Sequence, residues 1–250
     1  MARQTGVIRL KGTLGEVNFY STSSGGHLAR TAGGGFNSKD IKTKPSMVRV
    51  RENASEFGQC SKVKRAFKLS LAPFICIRKD GSLHGRMMAL FTKIKSLDRV
   101  NARGSRTVGN GLESALGLHL LSDFKFTPAC SVTNILGASI HYDFIGRSCK
   151  ITNFDAKSVH FPAGATHLAL TLGLLHFDFN ALSYSLKTGT PLYIDRTTDA
   201  NTLELTVSEP ENGGIQIAVL GLKFYQAIDG TYYLFNSANA VGVEVLGVEG

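Results

Sequence analysis

The sequence lacks the compact motifs that announce an enzyme. G-x-S-x-G, H-E-x-x-H, the Walker loop and G-x-G-x-x-G are all absent from its 250 residues. The glycine clusters Gly25-Gly26 and Gly33-Gly34-Gly35 have no following Lys-Ser/Thr, so they do not form a phosphate cradle. Proline is scarce, at 6, against 27 glycines, which predicts short strands joined by tight turns. No run approaches the ~20 apolar residues that span a bilayer. No apolar signal core follows Met1, because Lys11 interrupts the opening alternation. Synthesis in the cytoplasm is therefore expected, with later release as part of a particle left open. The four cysteines, Cys60, Cys76, Cys130 and Cys149, include no C-x-x-C pair. They read as reduced, buried thiols rather than zinc ligands. No cofactor, metal, catalytic residue or small-molecule substrate is expected.

What the sequence does have is a split of charge. The overall +9 divides into 21 Lys+Arg against 6 Asp+Glu over residues 1–110, and 7 against 13 over 111–250. Three readings stand. Both halves are simply solvated; the basic half meets a polyanion such as nucleic acid; or it meets the acidic half of another copy. A contact of that last kind is heterologous and grows rings or filaments.

The periodicity is also divided. Residues 7–31 alternate as a small β-meander, with Ile8, Leu10, Val17 and Phe19 as its apolar positions and 27–30 as its third strand. Such a sheet needs something to pack on. Residues 46–71 predict a helix with the stripe Met47, Val50, Ala54, Phe57, Cys60, Val63 and Phe67, stopped by Pro73. Asp80-Gly81 predicts a turn and Ser82 a cap for a second helix over 83–97, with Leu83, Met87, Leu90, Phe91, Ile94 and Leu97 inward. Residues 99–111 have no period and read as a loop, followed by a short helix over 112–121. From Phe124 onward the pattern is β. Strands are expected at 129–136, 139–145, 148–154, 157–161, 167–179, 182–187, 191–195, 202–208, 214–226, 231–236 and 241–248. Asp229-Gly230 is the strongest hairpin signal.

The fold expected is therefore α+β: a small N-terminal β-meander packed with two helices, over 1–125, then an antiparallel β-sandwich of jelly-roll or immunoglobulin-like kind, over 126–250.

Two constellations bear on chemistry. Ile140-His141-Tyr142-Asp143-Phe144 resembles Leu175-His176-Phe177-Asp178-Phe179. If the two strands paired in register, two imidazoles and two carboxylates would share one face, as a metal or acid–base site needs. The simpler reading is ordinary strand alternation. The other constellation is basic. Arg49, Arg51, Lys62, Lys64, Arg65 and Lys68 lie mostly off the apolar stripe of the first helix, and Arg103 and Arg106 sit in the loop. They are the candidate contacts to another subunit or to a polyanion. No helix-turn-helix or zinc finger accompanies them.

The opening MARQTGVIRLKGTLG, followed by Phe19-Tyr20 and Leu28-Ala29-Arg30, resembles a family of uncharacterised Bacteroidota proteins. Arg51-Glu52-Asn53 with Glu56-Phe57-Gly58, and the late Leu220-Gly221-Leu222 with Phe224-Tyr225-Gln226, carry the same likeness. The resemblance implies a source and a layout but no activity. The function expected is a non-enzymatic self-assembling structural protein forming a filament, tube or phage-like particle by head-to-tail contacts between copies. Non-specific nucleic-acid binding through the basic half is the alternative.

Overall fold

A computed structural model describes residues 2–32, 37–75, 80–211, 213–235, 237 and 239–250. The Gly33-Gly34-Gly35 cluster, Cys76, Arg78 and Lys79 lie outside the described residues. Helix and antiparallel sheet are both present, so the α+β expectation holds. The chain divides into two compact units, Met1–Arg51 and Glu52–Gly250. The division expected near residue 125 falls inside the second unit, because the helices before it and the strands after it bury their side chains in one core.

The first unit holds a four-stranded antiparallel sheet. Its strands are β1 (Ala2–Arg3), β2 (Gly12–Leu14), β3 (Val17–Ser21) and β4 (His27–Thr31), in the order β1-β4-β3-β2. The strand expected around Ile8 and Leu10 is absent. The Gln4 side chain takes over its pairing: Oε1 accepts from the Leu10 amide at 2.9 Å, and Nε2 donates to the Leu28 carbonyl at 3.2 Å. A helix, α1 (Ser38–Thr43), follows, capped by the Asn37 side chain accepting from the Lys39 amide.

In the second unit the helices are α2 (Val48–Ser70, entering from the first unit), α3 (Ala72–Ile75), α4 (Leu83–Lys95), α5 (Val108–Leu112), α6 (Ala115–Ser122) and α7 (Val132–Leu136). The Ser82 side chain makes no cap bond; Asp80 Oδ1 instead accepts from the Ser82 amide at 2.8 Å and stiffens the turn before α4. Leu83, Met87, Leu90, Phe91 and Ile94 of α4 are buried as expected, whereas Leu97 lies beyond the helix end and is half-buried. The inward stripe of α2 differs from the expected one: Cys60, Val63 and Phe67 are buried, but Glu56 is the buried residue one turn before them and Phe57 is 59% exposed. The segment expected as a strand over 129–136 contains α7, capped by Ser131 and ended by Gly137 in the left-handed region at φ 57°. No strand forms over 157–161, where Asp155 organises a turn instead.

The strands of this unit are β5 (Ser139–Asp143), β6 (Ser148–Thr152), β7 (His167–Phe177), β8 (Tyr184–Thr188), β9 (Leu192–Asp195), β10 (Thr202–Thr206), β11 (Ile215–Ile228), β12 (Thr231–Leu234) and β13 (Val241–Glu249). They form two antiparallel sheets. One is β10-β6-β5; the other is built on the long β7–β11 pair, with β8 and β9 along one side and β12 and β13 along the other. Asp229 and Gly230 both have positive φ, 48° and 76°, as the tight β11–β12 hairpin requires.

The β7–β11 sheet is buried on both faces, which is why its strands read as nearly continuous apolar runs rather than clean alternation. Leu175, Phe177, Ile217 and Val219 point to a core shared with Phe67, Phe74, Phe91 and Leu121 of the helices. Leu168, Leu170, Leu172, Leu220 and Leu222 point the other way, to a core shared with Cys149, Ile151, Leu203 and Leu205 of the smaller sheet. The unit is thus layered, helices on a sheet on a second sheet.

Candidate interaction surfaces

The first feature of the helical layer is a buried charge cluster. The Glu56 side chain is 2% exposed and meets Arg106, Lys95 and the Gly104 amide. Hydrogen bonds from Arg106, then Lys95 and the Gly104 amide, outweigh burial and hold the Glu56 carboxyl at about 2. Asp98, 5% exposed, accepts from the backbone amides of Val100, Asn101 and Thr107. Burial pushes its carboxyl up, but those hydrogen bonds prevail and hold it well below the usual range. These two carboxylates shape the segment 98–107. Arg103 pairs with Glu52 at 3.3 Å and donates to the Asn53 side chain at 2.9 Å. The two loop arginines are therefore turned back onto α2 and bind the protein's own acids, a use the loop's lack of periodicity does not reveal.

The remaining cations of α2 are turned outward. Lys62, Arg65 and Lys68 are exposed, and Lys64 is half-buried with Nζ 2.9 Å from His84 Nδ1 on α4. Lys93 on α4 is also exposed. From Phe57 to Leu97 the sequence has nine Lys+Arg and a single acid, Asp80. That acid is engaged by Arg86 at 2.6 Å and by Ser82. Between the helices runs a groove of about 480 Å³ lined by Phe57, Met88, Ala89, Thr92, Lys93 and Ser96. The exposed Phe57 beside these cations is a feature that the helical spacing, which placed it in the core, conceals.

Of the two basic residues expected earlier in the chain, Arg49 is exposed, while Arg51 donates to the carbonyls of Ile41 and Lys44 at 2.6 and 3.1 Å. In this first unit none of the described residues is buried, and Val7, Ile8 and Leu14 are 101%, 81% and 71% exposed.

The His/Asp repeat does not converge. His141 and Asp143 lie on β5 of the smaller sheet, while His176 is on β7 and Asp178 just beyond it. Strand β5 pairs with β6, and β7 pairs with β8, β9 and β11. Each aspartate shapes its own turn: Asp143 accepts from the Ile145 and Gly146 amides, Asp178 from those of Asn180 and Ala181. Among the described residues no group of three or more His, Cys, Asp or Glu is placed to hold a metal. Cys60, Cys130 and Cys149 are buried thiols.

An aromatic cluster that the strand pattern alone does not signal lies on the β7–β11 sheet. Tyr193 stacks on Tyr232 with centroids 4.4 Å apart, and Tyr225 and His167 pack against them. These residues come from four strands, so only pairing brings them together. No helix of the described residues is long and apolar enough to cross a membrane. No family model matches the chain, and no match was found among curated proteins or among solved structures.

Proposed function

We propose that the chain is a non-enzymatic structural subunit that polymerises with copies of itself, head to tail, into a filament, tube or phage-like particle. The observation that carries this reading is the first unit, in which no described residue is buried. A small sheet without a covered apolar face is marginal in water, so a partner surface is needed to hold it. Charge favours a second copy as that partner. Residues 1–51 carry nine Lys+Arg against two Asp+Glu, whereas residues 111–250 carry seven against thirteen. Contact between such unlike surfaces leaves a basic surface free at one end and an acidic surface free at the other, which is the condition for an open assembly. The short edge strands β1 and β2 suit addition to a neighbour's sheet edge. Two facing antiparallel sheets in the second unit support the jelly-roll or immunoglobulin-like kinship that goes with this reading.

The test is size. Nuclease-treated protein is followed by light scattering and negative-stain microscopy over a range of concentrations. Large regular particles are expected, and Val7→Asp with Ile8→Asp should reduce them. A monodisperse monomer at every concentration overturns the proposal.

A further inference from the structure

We infer that the solvent face of the α2–α4 layer binds single-stranded nucleic acid. Three observations carry it. The first is charge without compensation. Lys62, Arg65, Lys68 and Lys93 are exposed, and the one acid between Phe57 and Leu97 is already committed to Arg86 and Ser82. The second is a cation shared between the two helices: Lys64 Nζ on α2 donates to His84 Nδ1 on α4 at 2.9 Å, an exposed contact that holds the ammonium at the solvent side of the layer. The third is the groove between the helices, whose lining brings a phenyl ring that is 59% exposed together with Met88, Ala89 and Lys93.

Cations alone would fit any polyanion. The exposed ring and apolar floor narrow the choice. A duplex keeps its base faces stacked inside and offers this groove phosphates only. An acidic polypeptide brings carboxylates without flat faces. A single strand brings both phosphates for the lysines and unstacked bases for Phe57. The inference is independent of self-assembly, because it concerns a different surface and is read by a different measurement.

The experiment uses the full chain, freed of nucleic acid by nuclease and high salt, and fluorescence anisotropy of labelled oligothymidylate and oligouridylate about 20 nucleotides long. Saturable binding at low salt is expected. Its logarithm should fall with log salt at a slope of about −2 to −3, for three or four phosphates at ~0.7 each. The triple variant Lys64→Glu, Lys68→Glu, Lys93→Glu should bind at least about tenfold more weakly. Phe57→Ala should weaken binding several-fold and leave the salt slope unchanged. Lys150→Glu, on the exposed face of the smaller sheet, should bind as the parent does. Circular dichroism of each variant verifies the fold, and Phe57→Ala gives an independent readout if the triple variant does not fold. Absence of binding by the parent, parent-like affinity in a folded triple variant, or parent-like affinity in Phe57→Ala overturns the inference. So does polyglutamate that competes as well as the oligonucleotide at equal charge, which would assign the face to an acidic polypeptide.

Discussion

The Arg106 guanidinium meets the Glu56 carboxylate through two hydrogen bonds, Nε to Oε1 at 2.8 Å and Nη2 to Oε2 at 3.0 Å. The same carboxylate holds Lys95 on α4 and the Gly104 amide in the loop. One side chain of α2 thus ties together a second helix and a segment about fifty residues away in sequence. Its loss leaves two cations without their shared partner.

Glu56→Ala is expected to destabilise the chain by about 3–5 kcal/mol, because Lys95 is then buried without a counter-charge. Lys95→Met should cost clearly less, since Glu56 keeps Arg106 and the Gly104 amide. Urea denaturation midpoints of the two variants check the order.

Acid should act through the same group. Glu56 is held at about 2 against an ordinary 4.5, first by Arg106. A carboxyl lowered by folding contributes stability that is complete above its unfolded value and disappears as pH falls through the folded one. The contribution, on the order of 3 kcal/mol, is therefore present above about pH 4.5 and lost between there and about pH 2. Asp80, held at about 2 by Ser82 and Arg86, declines over a similar range. The Glu56→Gln variant should show a shallower loss of stability over this interval, measured by denaturant titration at each pH.

Phe74 packs against the sheet where two neighbouring strands carry glycine. A Cβ on Gly173 would stand 2.5 Å from Phe74 Cζ, and one on Gly221 would stand 2.6 Å from Phe74 Cδ1. Gly173→Ala or Gly221→Ala should each cost about 1–3 kcal/mol through overpacking. Phe74→Leu added to either should recover part of that loss. Recovery in a double-mutant cycle by thermal or urea unfolding is the readout.

The buried thiols should be inert. Burial pushes Cys149 up to about 11 and raises Cys60 as well, and both are 0% exposed, with Cys130 at 2%. At pH 8 none of the three should react with iodoacetamide until denaturant is added. Site-resolved mass spectrometry checks this, and labelling of Cys60 or Cys149 in the folded protein would contradict the packing described.

Much of the layout is legible in the residues. The helix over 46–71 appears as α2, the second helix as α4, and the Asp229-Gly230 hairpin has the dihedral angles its residues favour. Misreadings occur where local pattern is ambiguous. Residues 129–136 carry apolar residues at a spacing that suits strand or helix, and the Ser131 cap and Gly137 terminus settle it as α7. Around Ile8 a side-chain amide replaces the expected strand pairing.

The candidate surfaces divide the same way. Charge sign along the chain is a property of the sequence, so the basic stretch from Phe57 to Leu97 is visible without coordinates. Whether a given cation faces water is not. Helical spacing admits either Glu56 or Phe57 to the α2 stripe; the buried Lys95 and the half-buried Arg106 select the carboxylate and turn the phenyl ring outward. Likewise the two His-x-Asp strands look alike in sequence, yet pairing assigns them to different sheets. Most of the element types, the Asp229-Gly230 turn and the distribution of charge were fixed by neighbours along the chain and so could be read from the residues. Tertiary structure alone decided which face of α2 is buried, which arginines are consumed internally and which aromatic rings meet, because those outcomes depend on contacts between residues far apart in sequence.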